Sequence, residues 1–169
     1  MHVLFVCTGN ICRSPMAERL SYVVANQLEI SDFRASSAGT SALVGDPMHP
    51  YAVSVVESFG ADASGFHARQ LTPRVASEAD LVLAMTKEHR DALLQIAPRQ
   101  LRRAYTLREA ATLVAHYGAK TFGEMPALRP HLPPDVSLDI RDPISHSSAF
   151  FDEIGAEIAE QLRPVLKLC

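Results

Sequence analysis

The chain has 169 residues, of which 47% are hydrophobic and 21% are charged, a composition that predicts one packed domain over residues 1–169 and excludes a disordered or fibrous chain. Its formal net charge is −3, so the composition does not provide the excess of basic residues that binds nucleic acid or an anionic membrane. No apolar run approaches the roughly 20 residues that span a bilayer, so we expect no membrane partner and a cytoplasmic protein.

The first half of the chain alternates strand and helix signals. Residues 2–6 are short and nearly all apolar, which predicts a strand buried on both faces. A helix over residues 15–28 follows, with Ser14 as its cap and Pro15 at its first position. A second strand over residues 33–38 and a helix over residues 50–59 complete this half.

Threonines mark three helix starts in the second half. Thr72 precedes a proline and signals a short helix. Thr86 follows a third predicted strand, residues 80–85, and caps a helix that ends near residue 96. Thr106 and Glu109 stand three apart and form a capping box for a further helix.

The remaining elements are weaker or lie near the end of the chain. A weak strand is predicted over residues 101–105. Residues 118–138 contain four prolines and predict an irregular loop. Residues 148–163 place apolar side chains on one stripe and predict the last helix, which Pro164 is expected to end or kink.

Strands that alternate with helices predict an α/β fold with right-handed crossovers. We expect a single three-layer domain, in which a four-stranded parallel sheet carries helices on both faces. Ligands of such sheets bind beyond the carboxyl ends of the strands. Cys7 directly follows the first predicted strand and therefore lies at that end.

The segment that follows this strand has the form of an anion-binding loop. Residues 7–14 read Cys-Thr-Gly-Asn-Ile-Cys-Arg-Ser. A loop of this length that closes onto a helix N-terminus directs backbone N–H groups inward, which attracts a tetrahedral dianion. The fork of Arg13 can bind two phosphate oxygens at once. The same charges favour the thiolate of Cys7, a nucleophile beside bound phosphate.

Other residues of this loop support its shape. Gly9 and Asn10 tolerate the positive φ that such a loop requires, and Ser14 can cap the helix or hydrogen-bond the Cys7 sulfur. The alternative is that Cys7 is a small buried residue at a strand end and Arg13 a solvated side chain. The coincidence of strand, Gly-Asn turn, arginine and Ser-Pro helix start favours the phosphate loop.

Phosphate ester cleavage also needs a proton donor for the leaving oxygen. The candidates are Asp139 and Asp142 in the sequence Leu-Asp-Ile-Arg-Asp-Pro at residues 138–143. Pro143 restricts Asp142 to an extended backbone, which can hold an acid on a loop. Taken alone, an Asp-Pro pair is more often a structural turn.

At this point the sequence resembles the low-molecular-weight protein tyrosine phosphatases. The resemblance covers most of the chain and lies in residues 7–18, 37–40, 68–71, 80–85 and 142–143. It implies a four-stranded parallel sheet, no metal or cofactor, and a phosphorylated protein as the substrate.

The resemblance also implies roles for individual residues. Cys7 is the nucleophile, Arg13 binds the phosphate and Asp142 is the general acid. Asn10, Ser14 and Ser37 brace the loop by hydrogen bonds. The loop residues expected to bind the substrate are Thr8, Gly9, Asn10, Ile11, Cys12 and Ser14.

Several positions depart from the family pattern. Phe66 stands where the family commonly carries a histidine, with His67 after it. Leu43 and the Ile-Ser pair at residues 144–145 stand where members that act on phosphotyrosine usually show aromatic residues.

These departures concern the rim of the expected pocket. Ring-stacking walls are then either missing or supplied by other residues, for example Phe122, Tyr51 or Phe150. Residues 118–138 are longer than expected for the family and are a candidate for reshaping the rim.

We expect a two-step hydrolysis of phosphotyrosine in proteins, through a phosphocysteine at Cys7. One rival is a protein-arginine phosphatase, which tends to have threonine where the bulkier Ile11 stands. A second is an arsenate reductase of the same fold, but the extra cysteines of its thiol relay are missing here. A catalytically weak phosphate-binding module is the alternative from another class.

The chain contains three cysteines, Cys7, Cys12 and Cys169, an odd number that argues against a disulfide scaffold and predicts reduced thiols. The resemblance suggests a reversible disulfide between Cys12 and Cys7 under oxidant, and the alternative is a loop-packing thiol. Cys169 is expected to be an exposed thiol of the tail. The seven histidines are scattered, without the close pairings typical of a zinc site.

Overall fold

The sheet consists of four parallel strands. In the computed structural model, which describes residues 1–134 and 136–169, they are β1 (His2–Cys7), β2 (Arg34–Gly39), β3 (Leu81–Ala84) and β4 (Ala104–Thr106). Their order is β2-β1-β3-β4, so β1 is flanked on both sides. Its last residue, Cys7, pairs in register with Gly39 of β2. The predicted fold class is confirmed.

Helices connect the strands and cover both faces of the sheet. They are α1 (Arg13–Gln27), α2 (Pro50–Ser58), α3 (Pro73–Ser77), α4 (Lys87–Ile96), α5 (Leu107–Ala115), α6 (Met125–Leu128) and α7 (Ser148–Leu166). Val3 and Phe5 of β1 face the core shared with α1, α2, α5 and α7, whereas Leu4 and Val6 face α3 and α4. Within residues 1–134 and 136–169, no helix combines the length and apolar character needed to cross a bilayer.

Threonine side chains begin three helices, as predicted. The hydroxyl oxygens of Thr72 and Thr86 each accept a hydrogen bond of 3.2 Å from the backbone N–H three residues later. Thr106 Oγ1 does the same at 3.1 Å. The Thr106 N–H in turn donates to Glu109 Oε2, which completes the capping box.

The predicted start of α1 is wrong. The helix begins at Arg13, with Cys12 at the N-cap and no side-chain cap bond, so Ser14 and Pro15 lie inside the first turn. The physical reason is that the Ser14 hydroxyl has another partner, the Cys7 sulfur at 2.9 Å.

The prediction of an irregular loop over residues 118–138 is also wrong in part. This segment contains α6 and a 3-10 turn at Arg129–His131, both with prolines in the first turn, where a missing N–H costs little. The Arg129 guanidinium donates to Glu109 Oε1 and to the Ala104 carbonyl oxygen, each at 2.6 Å. These tertiary contacts hold Arg129 beside β4, and local sequence does not show them; residue 135 of the predicted loop lies outside the described residues.

Two other boundaries differ from the prediction. β4 is shorter than the predicted strand over residues 101–105, because residues 101–103 form a turn. α7 continues past Pro164 to its last residue, Leu166. Val165 and Leu166 are fully buried, so their burial offsets the hydrogen bond that the proline cannot make.

α7 packs closely against α2 at Gly155. A Cβ atom on Gly155 would lie 2.2 Å from Cγ1 of Val55. Gly155→Ala should therefore lower the free energy of unfolding by about 1–3 kcal/mol, the usual cost of overpacking, as measured by urea denaturation. The matched control is Gly123→Ala, whose added Cβ would meet only Thr121 Oγ1, at 3.7 Å. Equal destabilisation in the two variants would contradict the close approach.

Candidate active site

The loop between β1 and α1 turns its carbonyl oxygens outward. Four of them, those of Cys7, Thr8, Gly9 and Ile11, accept hydrogen bonds of 2.8–3.0 Å from residues 40–49, the connection between β2 and α2. In a trans peptide the N–H points opposite to the preceding C=O, so the N–H groups that follow these carbonyls face the centre of the loop. Together with the N-terminus of α1 they form a cradle suited to an anion.

Asn10 holds this loop from the inside. It is fully buried and has a φ of 57°, a left-handed conformation that asparagine tolerates. Its Nδ2 donates to the hydroxyl oxygens of Ser14 and Ser37, each at 2.9 Å, and its Oδ1 accepts from the Arg69 N–H at 2.8 Å. Of the two loop residues that tolerate a positive φ, Asn10 adopts it and Gly9 does not.

Ser14 connects this network to Cys7. Its Oγ lies 2.9 Å from the Cys7 sulfur and already accepts a hydrogen bond from Asn10. The hydroxyl hydrogen of Ser14 is thereby left for the sulfur. Cys7 is 3% exposed, at the base of the cradle.

Arg13 and Asp142 form an ion pair across the site. The Arg13 Nη2 atom lies 2.6 Å from Asp142 Oδ2, and the two side chains are 6% and 45% exposed. Arg13 Nη1 also donates to the Ile140 carbonyl oxygen at 3.1 Å. The buried guanidinium is thus balanced by a carboxylate that remains open to solvent, as a buried charge requires.

The two candidate acids are separated by the structure. Asp142 lies at the pocket, whereas Asp139 Oδ1 accepts a hydrogen bond of 2.8 Å from the N–H of Lys87, the first residue of α4. The chain between them is fixed by the Ile140 N–H, which donates to the Met85 carbonyl oxygen at 2.7 Å. Asp139 therefore has a helix-capping contact, and Asp142 is the carboxylate that faces Arg13.

The cradle opens into a pocket of about 290 Å³. Its lining residues are Cys7, Thr8, Gly9, Ile11, Cys12, Arg13, Ser41, Leu43, Asp142 and Ile144. The walls are aliphatic, formed by Ile11, Leu43 and Ile144. In the part of the chain that the structure describes, no aromatic residue and no residue of segment 118–138 lines this pocket.

Of the two alternatives for the ring-stacking walls, the described lining residues agree with the one in which these walls are missing. Tyr51 packs edge-on against Phe151, with ring centroids 5.5 Å apart. Phe150 packs against His146 at 4.5 Å, and Phe122 lines a separate pocket beside Tyr105. Each ring has a tertiary partner that holds it away from the loop.

Cys12 lines the pocket as a protonated thiol. Burial and the neighbouring Cys7 raise the pKa of Cys12 to about 12. At neutral pH it is not a competing nucleophile, because the thiolate is the reactive form. Its disulfide with Cys7 stays a prediction. Cys169 is exposed, as expected.

Residues to which the sequence analysis assigned no role surround the loop. Glu18 Oε2 accepts a hydrogen bond of 2.6 Å from Ser37, and Arg69 binds Asn10. His89 Nε2 lies 2.7 Å from Thr8 Oγ1. The sequence signal for His89 is its position three residues after the cap Thr86. This position places it in the first turn of α4, close to the edge of the sheet where β3 ends.

Residue 66, where the family commonly carries a histidine, belongs to the core in this chain. Phe66 is 8% exposed and packs in the core. The exposed His67 lies 3.3 Å from the carbonyl oxygen of Gly45, on the connection between β2 and α2. The Arg69 N–H, rather than a side chain at residue 66, binds Asn10.

His89 should make stability depend on pH. Burial, with a smaller contribution from Arg13, lowers the pKa of His89 from 6.5 to about 4. Between these values the unfolded chain binds a proton that the folded chain does not, so stability is full above pH 6.5 and falls towards pH 4. At pH 5 the free energy of unfolding should be lower than at pH 7.5 by up to about 2 kcal/mol from this group.

Urea unfolding at both pH values measures this difference. The variant His89→Gln, which cannot titrate in this range, should lose it. An identical pH dependence in the variant and the unsubstituted chain would contradict the buried, neutral state of His89.

The fold and the loop after β1 agree with a known family of protein phosphatases. The family model described as low molecular weight phosphotyrosine protein phosphatase matches residues 2–168. The chain belongs to this family.

Individual relatives agree with this assignment. The low molecular weight protein-tyrosine-phosphatase Wzb of Escherichia coli K12 is 41% identical over 97 residues, which cover 57% of this chain and 63% of that protein. The chain thus spans less than two thirds of the length of this curated relative.

Solved structures match over nearly the whole chain. The low molecular weight protein tyrosine phosphatase from T. tengcongensis has a TM-score of 0.80 at 29% identity, covering 100% of this chain and 99% of that one. A YwlE arginine phosphatase, a cysteine-to-serine mutant with a phosphorylated active-site serine, has a TM-score of 0.79 at 28% identity, covering 99% and 94%.

Proposed function

We propose that this chain hydrolyses phosphotyrosine in proteins through a phosphocysteine on Cys7. The observation that carries the proposal is the position of the Cys7 sulfur, 2.9 Å from the Ser14 hydroxyl and at the base of a cradle of inward N–H groups. Arg13 and Asp142 meet 2.6 Å apart across the same pocket. A nucleophile, a phosphate binder and an acid are thereby brought together.

In the first step the Cys7 thiolate attacks phosphorus in line with the leaving oxygen. The bound phosphate takes the place of Asp142 as the ionic partner of Arg13, which lets Asp142 carry a proton. The S–P bond forms as the P–O bond to the phenol breaks, and Asp142 donates its proton to that oxygen. The loop N–H groups and the free N–H donors of Arg13 hold the three equatorial oxygens, where charge is spread in the transition state.

In the second step a water molecule attacks the phosphocysteine. The Asp142 carboxylate, left deprotonated by the first step, takes a proton from this water. The S–P bond breaks, and inorganic phosphate and the Cys7 thiolate are released. The Ser14 hydroxyl, 2.9 Å from the sulfur, is in hydrogen-bond reach of it in both steps.

A structural neighbour supports the covalent intermediate. The YwlE mutant carries phosphate on the serine that replaces its active-site cysteine. A side chain at that position therefore accepts a phosphoryl group in that protein. We extend this chemistry to Cys7 on the strength of the fold and the loop geometry.

The pocket walls favour a flat, apolar leaving group. Ile11, Leu43 and Ile144 border the pocket and offer aliphatic surface that a phenyl ring can cover. Phosphoarginine is the second candidate, because aromatic stacking walls are lacking among the described lining residues and because an arginine phosphatase is a structural neighbour. An arsenate reductase would need a third thiol in a relay, and the remaining cysteine, Cys169, is exposed on the tail.

The deciding experiment compares one peptide sequence phosphorylated on tyrosine, serine or arginine, with phosphate release measured at equal concentrations. We expect the phosphotyrosine peptide to be turned over fastest. Faster release from phosphoarginine would replace the proposal by its second candidate. Binding of all three peptides without release would identify a phosphate-binding module instead.

A further inference from the structure

Thr8 is an exposed residue of the loop whose hydroxyl group contacts a histidine. Thr8 follows Cys7 in the loop and lines the pocket. Its Oγ1 atom lies 2.7 Å from Nε2 of His89, a residue that is 7% exposed. The two-step scheme above gives neither residue a part.

The hydrogen bonds of His89 determine which ring nitrogen carries the proton. Its Nδ1 lies 2.9 Å from Thr86 Oγ1, and the same oxygen accepts the backbone N–H of His89 as the helix cap. Within residues 1–134 and 136–169, Nδ1 is the acceptor available to the Thr86 hydroxyl hydrogen. The assignment that gives the Thr86 hydroxyl hydrogen a protein partner has Thr86 donating to Nδ1, and the neutral ring then carries its hydrogen on Nε2.

This arrangement orients the Thr8 hydroxyl. Because Nε2–H donates to Thr8 Oγ1, that oxygen is an acceptor for His89, and its own hydrogen is free for another partner. Thr8 lines the pocket, so the partner we assign to this hydrogen is a group bound in the cradle. A chain of donors thus runs from Thr86 through His89 to Thr8 and into the pocket.

We propose that His89 is a positioning residue that holds the Thr8 hydroxyl as a hydrogen-bond donor to a phosphoryl oxygen. The inference rests on the proposed function, because it assigns a further donor to the same site. Without His89 the hydroxyl is free to rotate, and its hydrogen is no longer directed to the oxygens that gain charge in the transition state.

A double-mutant cycle tests this role. Thr8→Val and His89→Leu should each lower kcat/KM for p-nitrophenyl phosphate about tenfold, the scale of one hydrogen bond to a charged group. The double variant should lose no more than either single variant, because His89 acts through Thr8. His89→Gln, whose amide nitrogen can replace Nε2–H, should recover most of the rate. His116→Leu, at an exposed histidine near the end of α5, is the matched control and should not change it.

Losses that multiply in the double variant, or full activity in Thr8→Val, would overturn the proposal. Thermal unfolding of each variant separates these losses from failure to fold. The dissociation constant of inorganic phosphate, measured by calorimetry for the same four proteins, gives a second double-mutant cycle that does not depend on turnover. A chain that bound phosphate but released none from p-nitrophenyl phosphate would refute the proposed function, and the phosphate cycle would still decide the role of His89.

Discussion

Replacing Cys7 with serine should abolish the hydrolysis of p-nitrophenyl phosphate. A serine hydroxyl at this position is scarcely ionised and has no base beside it, so it attacks slowly, and a phosphoserine once formed is hydrolysed slowly because an alkoxide is a poor leaving group. We expect kcat to fall by a factor on the order of 10⁴ or more, the scale seen when other enzymes lose a nucleophile. Phosphate binding should survive, because the loop N–H groups and Arg13 remain.

Two measurements make this test specific. Calorimetric titration with inorganic phosphate should give a dissociation constant within about tenfold of that of the unsubstituted chain, because the main phosphate donors are unchanged. Cys169→Ser makes the same chemical change on the exposed tail and should keep full activity. Turnover retained in Cys7→Ser would rule out the phosphocysteine.

Replacing Asp142 with asparagine should slow hydrolysis in a way that depends on the leaving group. Asparagine keeps the shape of the side chain but has no proton to donate. We expect kcat/KM for a phosphotyrosine peptide to fall by about 10²–10³-fold, within the usual range for loss of a general acid. p-Nitrophenolate is a much better leaving group than the tyrosine phenolate, so p-nitrophenyl phosphate should lose distinctly less.

Asp139→Asn is the matched control for this prediction. Asparagine at residue 139 can still accept the hydrogen bond from the Lys87 N–H with its Oδ1 atom. Its effect on kcat/KM should be small and equal for the two substrates. An equal loss for both substrates in Asp142→Asn would contradict proton donation and leave Asp142 as the ionic partner of Arg13 alone.

The elements that the sequence predicted well are those with strong local signals. The apolar run before Cys7 requires a buried strand, and Thr86 and Thr106 satisfy backbone N–H groups three residues later, so these helix starts follow from nearby atoms. Ser14 carries the same kind of signal, yet it does not cap α1, because a tertiary partner, the Cys7 sulfur, competes for its hydroxyl group.

The residues that the sequence analysis missed act across long separations in the chain. His89 meets Thr8 because β1 and β3 are neighbours in the sheet and both end at the same edge. Arg69 meets Asn10 because the chain after α2 returns beside β2, where Gly39 and Gln70 form an isolated bridge. No periodicity or spacing encodes such contacts, since they depend on which strands are paired.

The amino-acid sequence alone was enough to predict the parallel α/β sheet, the anion loop with Cys7 and Arg13, and two possible acids. These features depend on apolar patterning and on the chemistry of neighbouring residues. Only the tertiary structure placed Asp142 beside Arg13 and Asp139 on the Lys87 N–H, left the described pocket walls without an aromatic residue, and brought His89 to Thr8. Such choices depend on which distant segments share one face of the sheet, and that is decided when the whole core packs.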